Sequence, residues 1–267
     1  MGALSSKPTE RTGANVVRTK LERAAKTGVL QLASQKLKKL PDLNDPVKAA
    51  LHTLDVSHNA LGPDLPLRFA DLKKLKNLKV EACGLERPPQ LAGCEALKSF
   101  DCADNKLSAA GLEGALASLP RLEALVLRDN PLGALPRAVF AAGLCKLRTL
   151  DARQCNISRL AVLAGDAAPA LVELLLDGNA LRDVPAELAA ACPHLARLSL
   201  ESNRIETLPL ELLKLRTLER IDLKGNVITK RALLALPGAD DFLERRAATR
   251  KKDSGSLADL SVCGLED

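Results

Sequence analysis

Two groups of residues in this 267-residue chain have types and spacing that suggest chemistry. The first is the start, Met1-Gly2-Ala3-Leu4-Ser5-Ser6, which fits M-G-x-x-x-[Ser/Thr] with Lys7 next. Removal of Met1 would bare the Gly2 amine, the acceptor of a myristoyl chain. A single chain of that kind holds a protein on a bilayer with a partition constant of only about 10⁴ M⁻¹, so a second attachment is required. The membrane-facing cations Lys7, Arg11, Arg18, Lys20, Arg23 and Lys26 are expected to supply it, because the first 40 residues carry a net charge of +7 and the other 227 sum to −1. Attraction to an anionic leaflet then predicts a cytoplasmic protein, peripheral on a membrane.

The second group is a set of asparagines at a fixed interval. Asn59, Asn105, Asn130, Asn179, Asn203 and Asn226 each stand ninth in L-x-x-L-x-L-x-x-N-x-L, as in LHTLDVSHNAL from Leu51 and LEALVLRDNPL from Leu122. Gln35, Cys83 and Cys155 hold the same place in three further copies, giving nine registers spaced by 22 to 25 residues. These motifs resemble the leucine-rich repeat family over about residues 27–236. The resemblance implies an α/β solenoid, a curved right-handed stack of about nine repeats, in which the Asn amide satisfies turn backbone. The flanks AAKTGVLQL (24–32) and DDFLERRAATRKK (240–252) are similar to those of a small intracellular, membrane-associated member with no assigned enzymatic activity.

Stacked repeats must be positioned by a core, and here leucine supplies it: 55 residues are Leu, while aromatics are limited to four Phe. Alternation along each short strand sends the fourth and sixth positions inward, for example Leu54 and Val56 or Leu125 and Leu127. One repeat cannot bury them alone, so stability is shared between neighbours. Returns such as LPRAVF (135–140), VPAELA (184–189) and LPLELL (208–213) are predicted to run as turns or single coils, and AAGLEGALASLP (109–120) as a longer one. The ends need covers. A helix over 14–26 would place Val17, Leu21, Ala24 and Ala25 on one face, and a second over 239–252 would use Phe242, Leu243 and Ala247. The predicted order is a flexible lead (1–13), N-terminal cap (14–26), solenoid (27–238), C-terminal cap (239–252) and mobile tail (253–267).

Catalytic parts are scarce. His52 and His58 flank one strand, His194 lies in a return, and no Ser-His-Asp or Cys-His set is suggested. Seven cysteines show no C-x-x-C pair or zinc spacing, and no phosphate-binding glycine loop occurs, so no cofactor, no metal and no enzyme activity are expected. The first residues lack a secretory h-region, so the thiols are read as reduced. Too few aromatics are present to stack bases, which argues against nucleic acid despite a net charge of +6.

What is left is recognition. The outward strand positions hold ten acidic and six basic residues, against a basic whole. A protein partner carrying cations is expected on this concave face, over Asp55, Lys79, Asp101, Arg128, Asp151, Arg153, Asp177, Glu201 and Asp222, with Val126 and Leu175 as apolar anchors. The chain reads as a non-catalytic adaptor, monomeric on its own and tethered through Gly2. The alternative is a soluble regulatory subunit of a phosphatase or small GTPase.

Overall fold

The computed structural model describes residues 13–117, 119–253 and 263–265. Nine three-residue strands form its frame: β1 (Val29–Gln31), β2 (Thr53–Asp55), β3 (Asn77–Lys79), β4 (Ser99–Asp101), β5 (Ala124–Val126), β6 (Thr149–Asp151), β7 (Glu173–Leu175), β8 (Arg197–Ser199) and β9 (Arg220–Asp222). They pair in chain order as one parallel sheet. Parallel neighbours require a crossover, and each repeat supplies one across the back of the sheet. The register has no slip: Leu30 faces Leu54, then Leu78, Phe100, Leu125, Leu150, Leu174, Leu198 and Ile221. All nine are buried in a single continuous core. The expected α/β solenoid of leucine-rich repeats is the fold.

Each strand ends in the same bend. The eighth repeat position adopts a left-handed backbone in every repeat, with φ between 50° at Asp104 and 72° at Gly225. Only two of these nine residues are glycine, so the other seven hold a conformation that costs about 1–2 kcal/mol for a residue with a Cβ. The ninth-position amide offsets that cost. Asn179 Nδ2 donates to the carbonyls of Ala152 and Leu176 at 2.9 and 2.8 Å, and its Oδ1 accepts from the Cys155 and Ile157 amides at 3.0 and 2.9 Å. Four backbone groups that a turn would strand in the core are thereby paired.

The returns follow the local sequence. α2 (Asp45–Ala50) starts at Asn44, whose Oδ1 accepts from Val47, and α3 (Ala109–Leu116) starts at Ser108, whose Oγ accepts from Gly111. Proline precedes a 3₁₀ turn at Arg137–Phe140, whereas α4 (Glu187–Ala191), α5 (Leu210–Leu213) and α6 (Lys230–Leu234) are single coils. A side-chain oxygen accepting at the helix start satisfies an otherwise orphaned N–H.

Two fifteen-residue helices close the stack, α1 (Gly13–Thr27) and α7 (Ala239–Asp253). Ala24 is buried, and Val17, Leu21 and Ala25 pack on the core. Gly28 joins α1 to β1 with φ +70°, where a Cβ would lie 2.6 Å from the Ala50 carbonyl oxygen. At the other end Phe242 is buried but Ala247 is exposed, contrary to the expected covering set. Arg246, one helical turn after Phe242, faces inward instead and donates from Nη1 to Cys263 Sγ at 3.3 Å.

Residues Cys263–Leu265, within the expected tail over 253–267, pack against the last repeat, and the rest of that tail beyond Asp253 lies outside the described residues. The Leu223 amide donates to the Cys263 carbonyl at 2.8 Å, repeating the bond that Leu200 makes to Asp222 and Leu176 to Ser199. Cys263 and Leu265 are buried. The chain thus returns to the open edge of β9 and covers part of it. The sequence hid this because the segment has no repeat period.

Candidate interaction surface

The sheet's outer face is built from the residues that flank each inward leucine. Ladder register fixes one row as Gln31, Asp55, Lys79, Asp101, Val126, Asp151, Leu175, Ser199 and Asp222. Seven of the eleven sequence-derived residues stand in this row, with Val126 and Leu175 half-buried and two repeats apart, about 10 Å.

Their charges are largely spent on one another. Asp151 is 6% exposed and accepts from its neighbour Arg153 through Nε at 2.8 Å and Nη2 at 2.7 Å. Asp222, equally buried, takes both oxygens to Arg220 Nε at 2.9 and 2.8 Å. Lys79 Nζ lies 3.6 Å from Asp101. Arg128 bridges Glu81, two repeats away, and Asp129. The Arg153 and Arg220 guanidiniums are held more firmly protonated by their aspartates. Desolvation pulls Arg128 the other way, yet Glu81 and Asp129 outweigh it.

Several of these aspartates also serve the turn. Asp55, Asp101 and Asp151 accept the amides of Ser57, Ala103 and Arg153 through one oxygen each. Asp177 accepts the Ser199 hydroxyl at 2.6 Å and the Glu201 amide at 2.8 Å. Asp101, Asp151 and Asp222 are accordingly buried structural groups and not an open acidic hollow. Among the described residues Asp55, Asp104, Asp177 and Glu201 have no ion pair on this face. Arg197 lies 3.7 Å from Glu173 and 3.8 Å from Asp222, beyond hydrogen-bond reach, and its buried Nε has no hydrogen-bond partner among the described residues.

The remaining candidates separate by role. Asn59, Asn105, Asn130, Asn179, Asn203 and Asn226 donate to repeat backbone and belong to the frame. In the two cysteine repeats the thiols donate to carbonyls in the same place, Cys83 to Val56 at 3.2 Å and Cys155 to Leu127 at 3.3 Å. Burial pushes both thiols up to about 11. His52 contacts Thr53, whereas His58 and His194 are exposed and far from each other in repeat order. No group of three or more His, Cys, Asp or Glu among the described residues could hold a metal ion. Arg18, Arg23 and Lys26 are exposed on α1 and Lys20 is half-buried, while Gly2, Lys7 and Arg11 lie outside the described residues. No described helix is long and apolar enough to cross a membrane.

Known proteins place this frame. The family described as Leucine rich repeat matches residues 169–228. Mouse Protein NLRC5 is 42% identical over 105 residues, 36% of this chain and 5% of that protein. Mouse Leucine-rich repeat and calponin homology domain-containing protein 1 is 32% identical over 127 residues, 45% and 17% of the two chains. The chain thus spans a small part of either relative. Among solved structures, a Leptospira interrogans LRR protein shares the fold at TM-score 0.52 and 22% identity, covering 86% of this chain and 67% of that one. The Toll–Spatzle complex of Drosophila gives TM-score 0.63 at 21% identity, covering 75% and 27%. Sequence period, unbroken parallel sheet and these likenesses agree that the chain folds as a leucine-rich repeat solenoid.

Proposed function

We propose that this chain is a non-catalytic adaptor that binds a protein partner across its concave sheet and is tethered at a cytoplasmic membrane surface by myristate on Gly2. The observation that carries it is the sheet face itself: nine strands in unbroken register, whose exposed rows belong to no other element of the fold. A leucine-rich repeat fold of this kind supports a protein interaction scaffold. Both the Toll structure and that of the plant peptide hormone receptor RGFR1 are complexes, with Spatzle and with RGF2. The flanking stretches also resemble leucine-rich repeat-containing protein 57, which fits a membrane-associated adaptor. Within the face, Val126 and Leu175 supply apolar contact, and Asp104 and Glu201 attract cations.

Cross-linking from the face decides the first half. A photoreactive group at the exposed Lys79 is expected to capture one partner, and Val126→Glu with Leu175→Glu is expected to abolish that capture while the circular dichroism stays native. Unchanged capture by the folded double variant would remove the concave face from the proposal. Metabolic labelling with a myristate analogue decides the second half: label on the native chain and none on Gly2→Ala is the expected result.

A further inference from the structure

We propose that the side of the solenoid where strands β3 to β6 begin is a docking plane for an anionic lipid surface. The residue just before each strand is held in a row by backbone bonds: Lys76 N donates to His52 O, Lys98 N to Lys76 O, Glu123 N to Lys98 O and Arg148 N to Glu123 O, all at 2.7–2.8 Å. The preceding turn adds Lys73 and Lys74 in one repeat, Arg121 in another and Lys146 in a third. Lys73, Lys74, Lys76, Arg121, Lys146 and Arg148 are exposed, and none makes an ion pair among the described residues. Lys98 alone is neutralised, by Glu123 at 2.7 Å. Glu123 is itself held below the ordinary carboxylate range, first by that bond and further by Arg148 and Lys146, so the cations do converge.

Geometry favours a plane over a groove. Because neighbouring strands pair without stagger, their starting ends lie level, and four repeats spread the cations over about 15 Å. Base stacking has nothing to work with, since Phe69, Phe100, Phe140 and Phe242, the chain's full set of aromatics, are buried. The patch also ends abruptly: Val172, Ala196 and Glu219 occupy the same row in the last three repeats. α1 finishes on this side, placing Lys26 beside Gly28, whose carbonyl accepts the His52 amide that begins the row. A lysine-rich plane that continues to Lys26 at the end of α1 suits an anionic leaflet. The inference extends the membrane half of the proposed function but uses a separate surface, so it is tested without acylation.

The test is sedimentation of the full-length unacylated chain with vesicles of one-third phosphatidylserine in phosphatidylcholine, in about 0.1 M salt, where charges act over about 10 Å. Binding to these vesicles and not to pure phosphatidylcholine is expected. Lys73→Gln, Lys74→Gln, Lys76→Gln and Lys146→Gln together should weaken it by roughly 600-fold, given roughly fivefold per cation near the surface. A control that removes equal charge from the opposite side, Lys38→Gln, Arg159→Gln, Arg182→Gln and Arg204→Gln, should change it by about twofold. Equal loss in both variants would reduce the effect to net charge and overturn the plane, as would no vesicle binding at all. Binding of duplex RNA that depends on the four lysines, with none to vesicles, would overturn the lipid assignment. Since Gly2 is unmodified throughout, these outcomes are independent of whether myristate is attached in cells.

Discussion

The concave face and the strand-start side carry similar numbers of cations and use them in opposite ways. On the concave face Arg128, Arg153 and Arg220 are bonded to carboxylates one or two strands or residues away, and Asp151 also caps its turn. On the strand-start side six cations stand free of ion pairs among the described residues, whereas Lys98 is matched by Glu123. A charge that closes a turn is part of the frame, whereas a charge with no internal partner remains available to an external one. The largest test of this contrast is stability. Asp151→Ala removes a nearly buried carboxylate with three hydrogen bonds and should cost about 2 kcal/mol in urea unfolding. Arg148→Gln, exposed in the same repeat, should change stability by less than about 0.5 kcal/mol. Equal costs would dissolve the distinction.

A thiol sharpens it by reactivity. Six cysteines are buried and Cys145 is exposed, next to Lys146 on the strand-start side. Burial raises Cys83, Cys94 and Cys155 to about 11 and Cys192 to about 12, and pushes Cys102 well above its ordinary value. Since the thiolate is the reactive form, these groups stay protonated near pH 8. Iodoacetamide is expected to label Cys145 alone in the native chain, read by peptide mass spectrometry. Anionic vesicles should slow that labelling several-fold, and the four-lysine variant should lose the protection.

Much of this architecture was legible as a period. The ninth-position Asn needs only to be counted to place the strand, the bend and the two inward residues before it. The purposes of Asp101, Asp151 and Asp222 were not legible, because composition records a carboxylate's charge and not its distance to the neighbouring guanidinium. Arg128 shows why: its partner Glu81 is 47 positions earlier, and only the register of three stacked repeats brings them together. Arg246 and Cys263 were hidden for another reason. A helix face can be drawn from apolar residues, but a buried arginine is placed there by the returning segment it meets. The strand-start cations could have been found, since they fall within the four repeat positions before each strand, yet charge summed by segment conceals a stripe shared among repeats.

The finest test concerns a single proton. Glu123 is kept ionised by the Lys98 hydrogen bond first, then by the charge of Lys98, Arg148 and Lys146. Its folded value lies below its unfolded one, so the stabilisation it gives is present above the ordinary glutamate range and disappears as pH falls through the folded value. Carbon-13 titration of the Glu123 carboxyl should therefore show a low midpoint that rises most in Lys98→Gln, less in Lys146→Gln, and not at all in Arg153→Gln. A response to Arg153 equal to that of Lys146 would mean that the two surfaces share one field. A response confined to Lys98 would mean that the other cations stand too far apart to act as one plane.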